Sequence, residues 1–167
     1  MEVKGNAVIA ISPQWLAGFF DGEGCISAWV PKSESTYSKQ RYPALKVQIS
    51  QGDVNILRRI KDRYHGGSIN AQARNGRVFC STLSWTNTAA EPFLRDILPY
   101  VILKRELCLI ALEWIDCHRS FKSTEIEKKQ HMLLALQIQQ IHIINRGKGN
   151  ALDIAVEGSR DRDAGTS

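Results

Sequence analysis

Two carboxylates and two glycines alternate in Asp21-Gly22-Glu23-Gly24, directly after the apolar run Trp15-Leu16-Ala17-Gly18-Phe19-Phe20. A candidate metal ligand and a packing surface therefore share one short segment. Ser12 is suited to cap a helix, because its hydroxyl accepts from an orphan backbone N–H, and Pro13 fits the first helical position. Gly18 and Gly22 lie four apart on one face, where missing side chains let another helix backbone come close. Gly22 and Gly24 are expected to stop the helix, since glycine reaches left-handed conformations at little cost. Glu23 then stands at a helix end beside whatever packs against that face. The plain alternative is a core helix that ends in an ordinary turn.

The elements that must hold these residues follow from periodicity. Residues 25–31 alternate, with Ile26, Ala28 and Val30 on one face and Ser27 and Trp29 on the other. After a polar loop over 32–40, residues 41–50 alternate again, Leu45, Val47 and Ile49 against Ala44, Lys46 and Gln48. Asp53 caps a helix that runs through Tyr64. Asn75-Gly76 is the dipeptide preferred for a two-residue hairpin turn, because both positions need positive φ. It joins a strand showing Ser68, Asn70, Gln72 and Arg74 outward to one showing Arg77 and Ser81 outward. Thr88 to Glu91 and Thr124 to Glu127 have capping-box spacing and open helices that run to before Pro99 and to about Asn145. A further helix spans about Lys104 to His118. The expected order is α-β-β-α-β-β-α-α-α, an α+β fold with an antiparallel four-stranded sheet, in one domain over 1–157 with a disordered tail over 158–167.

Composition bounds the partner. The chain has 167 residues, 43% of them hydrophobic, enough for one good core. Its formal charge of +5 favours an anionic partner, with nucleic acid ahead of a membrane surface. No apolar run is long enough to span a bilayer, and the first residues lack the build of a signal peptide, so an intracellular protein is expected. Cys25, Cys80, Cys108 and Cys117 show no metal-finger spacing and read as small buried thiols. The four histidines are scattered and read as surface or helix residues.

Leu16 to Gly24 resembles the LAGLIDADG motif of homing endonucleases, here spelled LAGFFDGEG. Leu16, Ala17, Gly18, Asp21 and Gly24 agree with the motif letters, Phe19 and Phe20 replace apolar letters, Gly22 replaces alanine, and Glu23 takes the place of the metal-binding acid. One copy of the motif is present. In this family, chains with one motif pair as two-fold homodimers, which the resemblance assigns here to Leu16, Ala17, Gly18, Asp21 and Gly22. It further implies Mg2+, with Mn2+ or Ca2+ in its place in a bound structure, held by Glu23 and the Gly22 carbonyl. Gln51 takes the position of the residue that places the attacking water, and Lys104 that of the basic residue near the scissile phosphate. Asn55 stands where some relatives have a second basic residue. Read without the motif, Lys104 is equally a solvated helix-start lysine and Gln51 a polar strand end.

One carboxylate per chain is a thin metal site, which substrate phosphates and a second chain can complete. The implied activity is metal-dependent, site-specific hydrolysis of both strands of double-stranded DNA at a long, roughly palindromic target. An RNA maturase acting on intron RNA, or a non-catalytic DNA-binding regulator, are the alternatives on the same fold. The implied location is an organelle, chloroplast or mitochondrion, or a prokaryotic cytoplasm. The outward strand positions suit major-groove reading, because their amides and cations match base-edge donors and acceptors. They are Ser27, Trp29, Lys46 and Gln48 on the first two strands, Lys32, Arg41 and Tyr42 between or at their start, and Asn70, Gln72, Arg74, Arg77 and Ser81 on the hairpin. A solvated sheet face would alternate in the same way, but Trp29 and Tyr42 argue against it.

Overall fold

The computed structural model describes residues 11–29, 43–74, 76–119, 124 and 126–142. Val30, Lys32, Arg41, Tyr42, the side chain of Arg74 and the tail over 158–167 lie outside the described residues. The chain runs through α1 (Pro13–Glu23), β1 (Gly24–Trp29), β2 (Ala44–Gln51), α2 (Val54–Arg63), β3 (Ser68–Arg74), β4 (Arg77–Thr86), α3 (Glu91–Ile97) and α4 (Arg105–Arg119). A fifth helix, α5, covers 126–142. The order of elements is the expected one.

Local chemistry explains most of the boundaries. The Trp15 amide donates to the Ser12 hydroxyl at 3.2 Å, and Pro13 follows as the first helical residue. Asp53 caps α2 by accepting from the Asn55 amide at 2.9 Å. Thr124 and Glu127 form a reciprocal capping box, the Glu127 amide donating to the Thr124 hydroxyl and the Thr124 amide to the Glu127 carboxylate. Thr88, by contrast, opens no capping box. Residues Asn87–Ala90 form a 3-10 turn ahead of α3, entered through Asn87 at φ 50°. Glu91 turns its carboxylate to Arg95 and Arg119 instead.

The four strands form one antiparallel sheet in the order β1-β2-β4-β3. Its inner face carries Ile26, Ala28, Leu45, Val47, Ile49, Leu83 and Trp85, all buried against the helices. Phe93 of α3 is the hub of that layer: its ring stacks on Trp85 at 4.8 Å and meets Phe20 and Tyr64 edge-on at 5.2 and 5.3 Å. Leu16, Ala17 and Phe20 bring α1 into the same core. Among the described residues no helix is long and apolar enough to cross a membrane.

The α1–β1 junction differs from the expected left-handed stop. Gly22 lies inside the helix, and Gly24, the capping residue, is extended at φ −83°. Glycine is needed there for space, because a Cβ at Gly24 would collide with the Phe20 ring and carbonyl. The chain can therefore pass straight from Glu23 into β1.

Candidate nuclease site and nucleic-acid face

Glu23 is the last residue of α1 and is solvent-exposed. The end of a helix carries partial negative charge, and α1 has no basic residue in its last turn, so Asp21 and Glu23 both stand against the dipole. Compensation comes from another element. Asp21 accepts from the backbone amides of Ile102 and Lys104 at 2.8 and 3.0 Å, and the Lys104 ammonium donates to the Asp21 backbone carbonyl. The Lys104 carbonyl in turn accepts from the Cys108 amide at 2.9 Å, opening α4. The Asp21 carboxylate thus caps α4 from a distance and brings Lys104 to the end of α1. Beneath this contact the Cys108 thiol is pushed up to about 12, chiefly by burial and then by the Asp21 charge.

Gln51 ends β2. Gly24 pairs with Ile49 across β1 and β2, so Gln51, two residues on, stands at the sheet end next to the α1 terminus. Its side-chain carbonyl accepts from the Gly52 amide at 2.7 Å, which leaves its NH2 end as the donor. Asn55 follows on α2, and its side-chain oxygen accepts from Arg58 at 3.0 Å. A guanidinium therefore stands beside Asn55.

Three of the residues assigned to a dimer contact are placed otherwise. Leu16 and Ala17 are wholly buried inside the protomer, because they share the core-facing side of α1 with Phe20. Asp21 commits its carboxylate to Ile102 and Lys104. The outer face of α1 instead shows Gly18 and Gly22, with Trp15 and Phe19 stacked at 4.8 Å beside them. Among the described residues no atom beyond the adjoining helix backbone and chain neighbours lies within 4 Å of where a Cβ would stand at either glycine. Nothing in the described protomer requires glycine at these two positions. Ile102 and Leu103, 81% and 80% exposed, extend the apolar surface at the same end.

The outer sheet face is built in cross-strand rows. Register places Ser27, Lys46 and Thr86 in one row, then Cys25, Gln48, Ser84 and Ser68, then Ser50, Thr82 and Asn70. The Ser50 and Thr82 hydroxyls lie 2.8 Å apart, and the Gln72 amide donates to Thr82 at 2.7 Å. Trp29 stands at the β1 end of this face, 41% exposed. Arg77 is exposed opposite Arg74 at the hairpin tip. Ser81 does not belong here. It pairs with Gln51 and Ala71, on the side of Leu83 and Trp85, and is buried. The cause is a bulge at Phe79, where Gln72 pairs with Cys80 while Ala73 pairs with Val78. The extra residue reverses the alternation beyond it. Ser50, Thr82 and Ser84 therefore lie on the outer side of the sheet, the two on β4 buried beneath their longer neighbours, although alternation counted back from the Asn75-Gly76 turn excludes them.

The family model described as LAGLIDADG endonuclease matches residues 16–101, just over half of the chain. The chain belongs to the LAGLIDADG endonuclease family. A LAGLIDADG endonuclease is a DNA endonuclease, and the solved structures similar to this one include homing endonucleases. I-CvuI, determined with its target in the presence of calcium, is 25% identical over 77% of this chain and 80% of that one, with a TM-score of 0.64. The archaeal intron-encoded I-Vdi141I, determined with DNA, is 18% identical over 77% and 82%, with a TM-score of 0.65. I-SmaMI, bound to DNA, is 22% identical, with a TM-score of 0.60; the alignment spans 74% of this chain but 43% of that one. No match was found among curated proteins.

The donors at the LAGLIDADG helix end suit a hard divalent cation. Glu23 offers an exposed carboxylate, and the Gly22 carbonyl is among the last four of the helix, which have no partner within it. Among the described residues no three His, Cys, Asp or Glu side chains are grouped to hold a metal. The oxygen donors at this helix end are thus the Glu23 carboxylate and the Gly22 carbonyl.

Proposed function

We propose that the protein is a divalent-metal-dependent endonuclease that acts as a two-fold homodimer and cuts both strands of a long, roughly palindromic DNA site. The observation that carries this reading is the Asp21–Lys104 contact, which ties a cation to the helix end bearing Glu23. Packing the Gly18/Gly22 faces of two α1 helices together would place both Glu23 carboxylates at one centre. Ile102, Leu103 and the Trp15–Phe19 pair flank that contact. The I-SmaMI alignment, spanning under half of that chain, supports one protomer as one unit of a two-unit enzyme.

Each group has a task set by its chemistry. Glu23 and the Gly22 carbonyl would hold the cation. Bound there, it would supply an activated water and stabilise the departing alkoxide. The Lys104 ammonium, anchored through Asp21, offsets phosphate charge, and Arg58 on Asn55 adds a second cation nearby. The Gln51 NH2 orients a water through the donor end that Gly52 leaves available. The rows that include Ser27, Gln48 and Asn70 read base edges of one half-site, and Arg77 holds phosphate at the hairpin end. Such an activity would call for a location inside the cell, in an organelle or a prokaryotic cytoplasm.

Selection of cleavable sites from a randomised DNA library with magnesium tests the whole reading. A palindromic consensus cut on both strands is expected. An asymmetric consensus, or equal cleavage without a divalent ion, contradicts it.

A further inference from the structure

β1 is an edge strand of the sheet. It is also the strand that begins directly after Glu23 and presents Ser27 and Trp29 on the outer face. An edge strand carries a row of backbone groups with no sheet partner, and such a row is loose in water and open to pairing with a foreign strand. Here two side chains of α5 meet it. The Gln139 amide donates to the Ala28 carbonyl at 2.9 Å, and the His142 Nε2 faces the Ile26 carbonyl. A carbonyl only accepts, so His142 carries its proton on Nε2. The same nitrogen lies 3.9 Å from the Cys25 thiol.

The spacing fits the geometry of both elements. Ile26 and Ala28 are two apart, so their backbone carbonyls leave the strand on the same side, and Gln139 and His142 are three apart, so they share one face of the helix. One helical turn therefore closes two successive groups of the strand edge. The helix is itself fixed at depth, because Leu134, Ala135 and Ile138 are buried in the core. Both donors thus belong to an anchored element, whereas their acceptors belong to a strand held on one side only.

We propose that Gln139 and His142 are positioning residues for DNA recognition: they clamp the free edge of β1 and so hold Ser27, Trp29 and the Glu23 that precedes the strand in register with β2. The inference rests on the sheet's role as the DNA-reading face. Neither side chain touches DNA in this account; each acts through the backbone of β1. Its signature is local. Loss of the clamp loosens what β1 reads and leaves what β3 and β4 read unchanged.

Three variants and two readouts test this in the full chain. Gln139→Glu keeps size but removes the donor, and His142→Phe keeps the ring, with His142→Gln as the conservative variant that restores a donor. In the DNA-free protein, amide exchange across residues 24–29 is expected to quicken about thirtyfold in the double variant, as two hydrogen bonds of roughly 1 kcal/mol each would give, with β3 unchanged. Unchanged exchange in β1 overturns the clamp, whatever the protein does with DNA. In library selection, the base pairs at which Ser27→Ala and Trp29→Ala alter preference are expected to relax in the double variant. Those marked by Gln72→Ala and Arg77→Ala should hold, and His142→Gln should recover part of the preference. Relaxation spread evenly over all positions is the mark of general destabilisation and overturns the proposal. A wild-type protein that selects no DNA site overturns the nuclease reading instead, and the exchange experiment still decides the clamp.

Discussion

The Asp21 carboxylate receives the backbone amide of Lys104 at 3.0 Å while the Lys104 ammonium returns to the Asp21 carbonyl, so two helices are locked end to start. The residue that caps α4 is thus the neighbour but one of the acid that ends α1. Capping and siting of the cation are one interaction. Asp21→Asn keeps the shape but turns an NH2 toward an amide donor. It should lower unfolding free energy by about 1–2 kcal/mol, a typical cap loss. Single-turnover cleavage should slow in the same protein, although Glu23 and Lys104 are intact. Thermal unfolding and quenched-flow cleavage read the two effects, and wild-type values for both would contradict this account.

The motif glycines do not share one reason to be glycine: Gly24 is set apart from Gly18 and Gly22. Gly24→Ala drives a Cβ into Phe20 and should cost about 1–3 kcal/mol, seen as a lower urea midpoint. Gly18→Leu enters open space in the protomer and should leave unfolding little changed, while sedimentation shows a monomer and double-strand cleavage is lost. An active Gly18→Leu monomer contradicts the dimer. Gly22, equally open, should tolerate alanine in the protomer fold.

How much of this was legible in the sequence is decided residue by residue. The helix caps at Ser12, Asp53 and Thr124 were readable because capping is local chemistry. Strand alternation gave both faces of β1 and β2. Ser81 was misplaced because the turn at Asn75-Gly76 sets register only until the bulge at Phe79, and nothing in the composition around Phe79 marks a bulge. Asp21 was given to the dimer because a motif letter names a position and leaves its partner open; that partner is the Ile102–Lys104 loop, some eighty residues on. The outer polar residues of β4, Thr82 and Ser84, become visible only once the shifted register is known.

The histidines account for a pH response. His131, 1% exposed, stacks on Trp114 at 4.1 Å and lies beside His118 at 5.3 Å, joining α4 to α5. Burial, reinforced by His118, lowers the His131 pKa from 6.5 to about 4, and burial lowers that of His118 as well. The unfolded chain then binds more protons than the folded one between these values. Stability is therefore full above pH 6.5 and falls as pH drops toward 4, by about 3 kcal/mol for the His131 shift alone. Denaturant unfolding at pH 7.5 and 4.5 measures it. His131→Phe, which keeps a ring against Trp114, should flatten the response, and an unaltered slope would contradict the assignment.

The central claim is that one acid at the end of α1 serves cleavage and not folding or DNA recognition. Glu23 is exposed at an unfavourable end of its helix dipole, so its removal should not destabilise the protomer. The direct measurement compares wild type with Glu23→Gln on one selected DNA site, following binding by gel shift and cleavage with magnesium. Retained binding, retained dimer and loss of double-strand cleavage are predicted. Cleavage by Glu23→Gln at the wild-type rate would contradict the account.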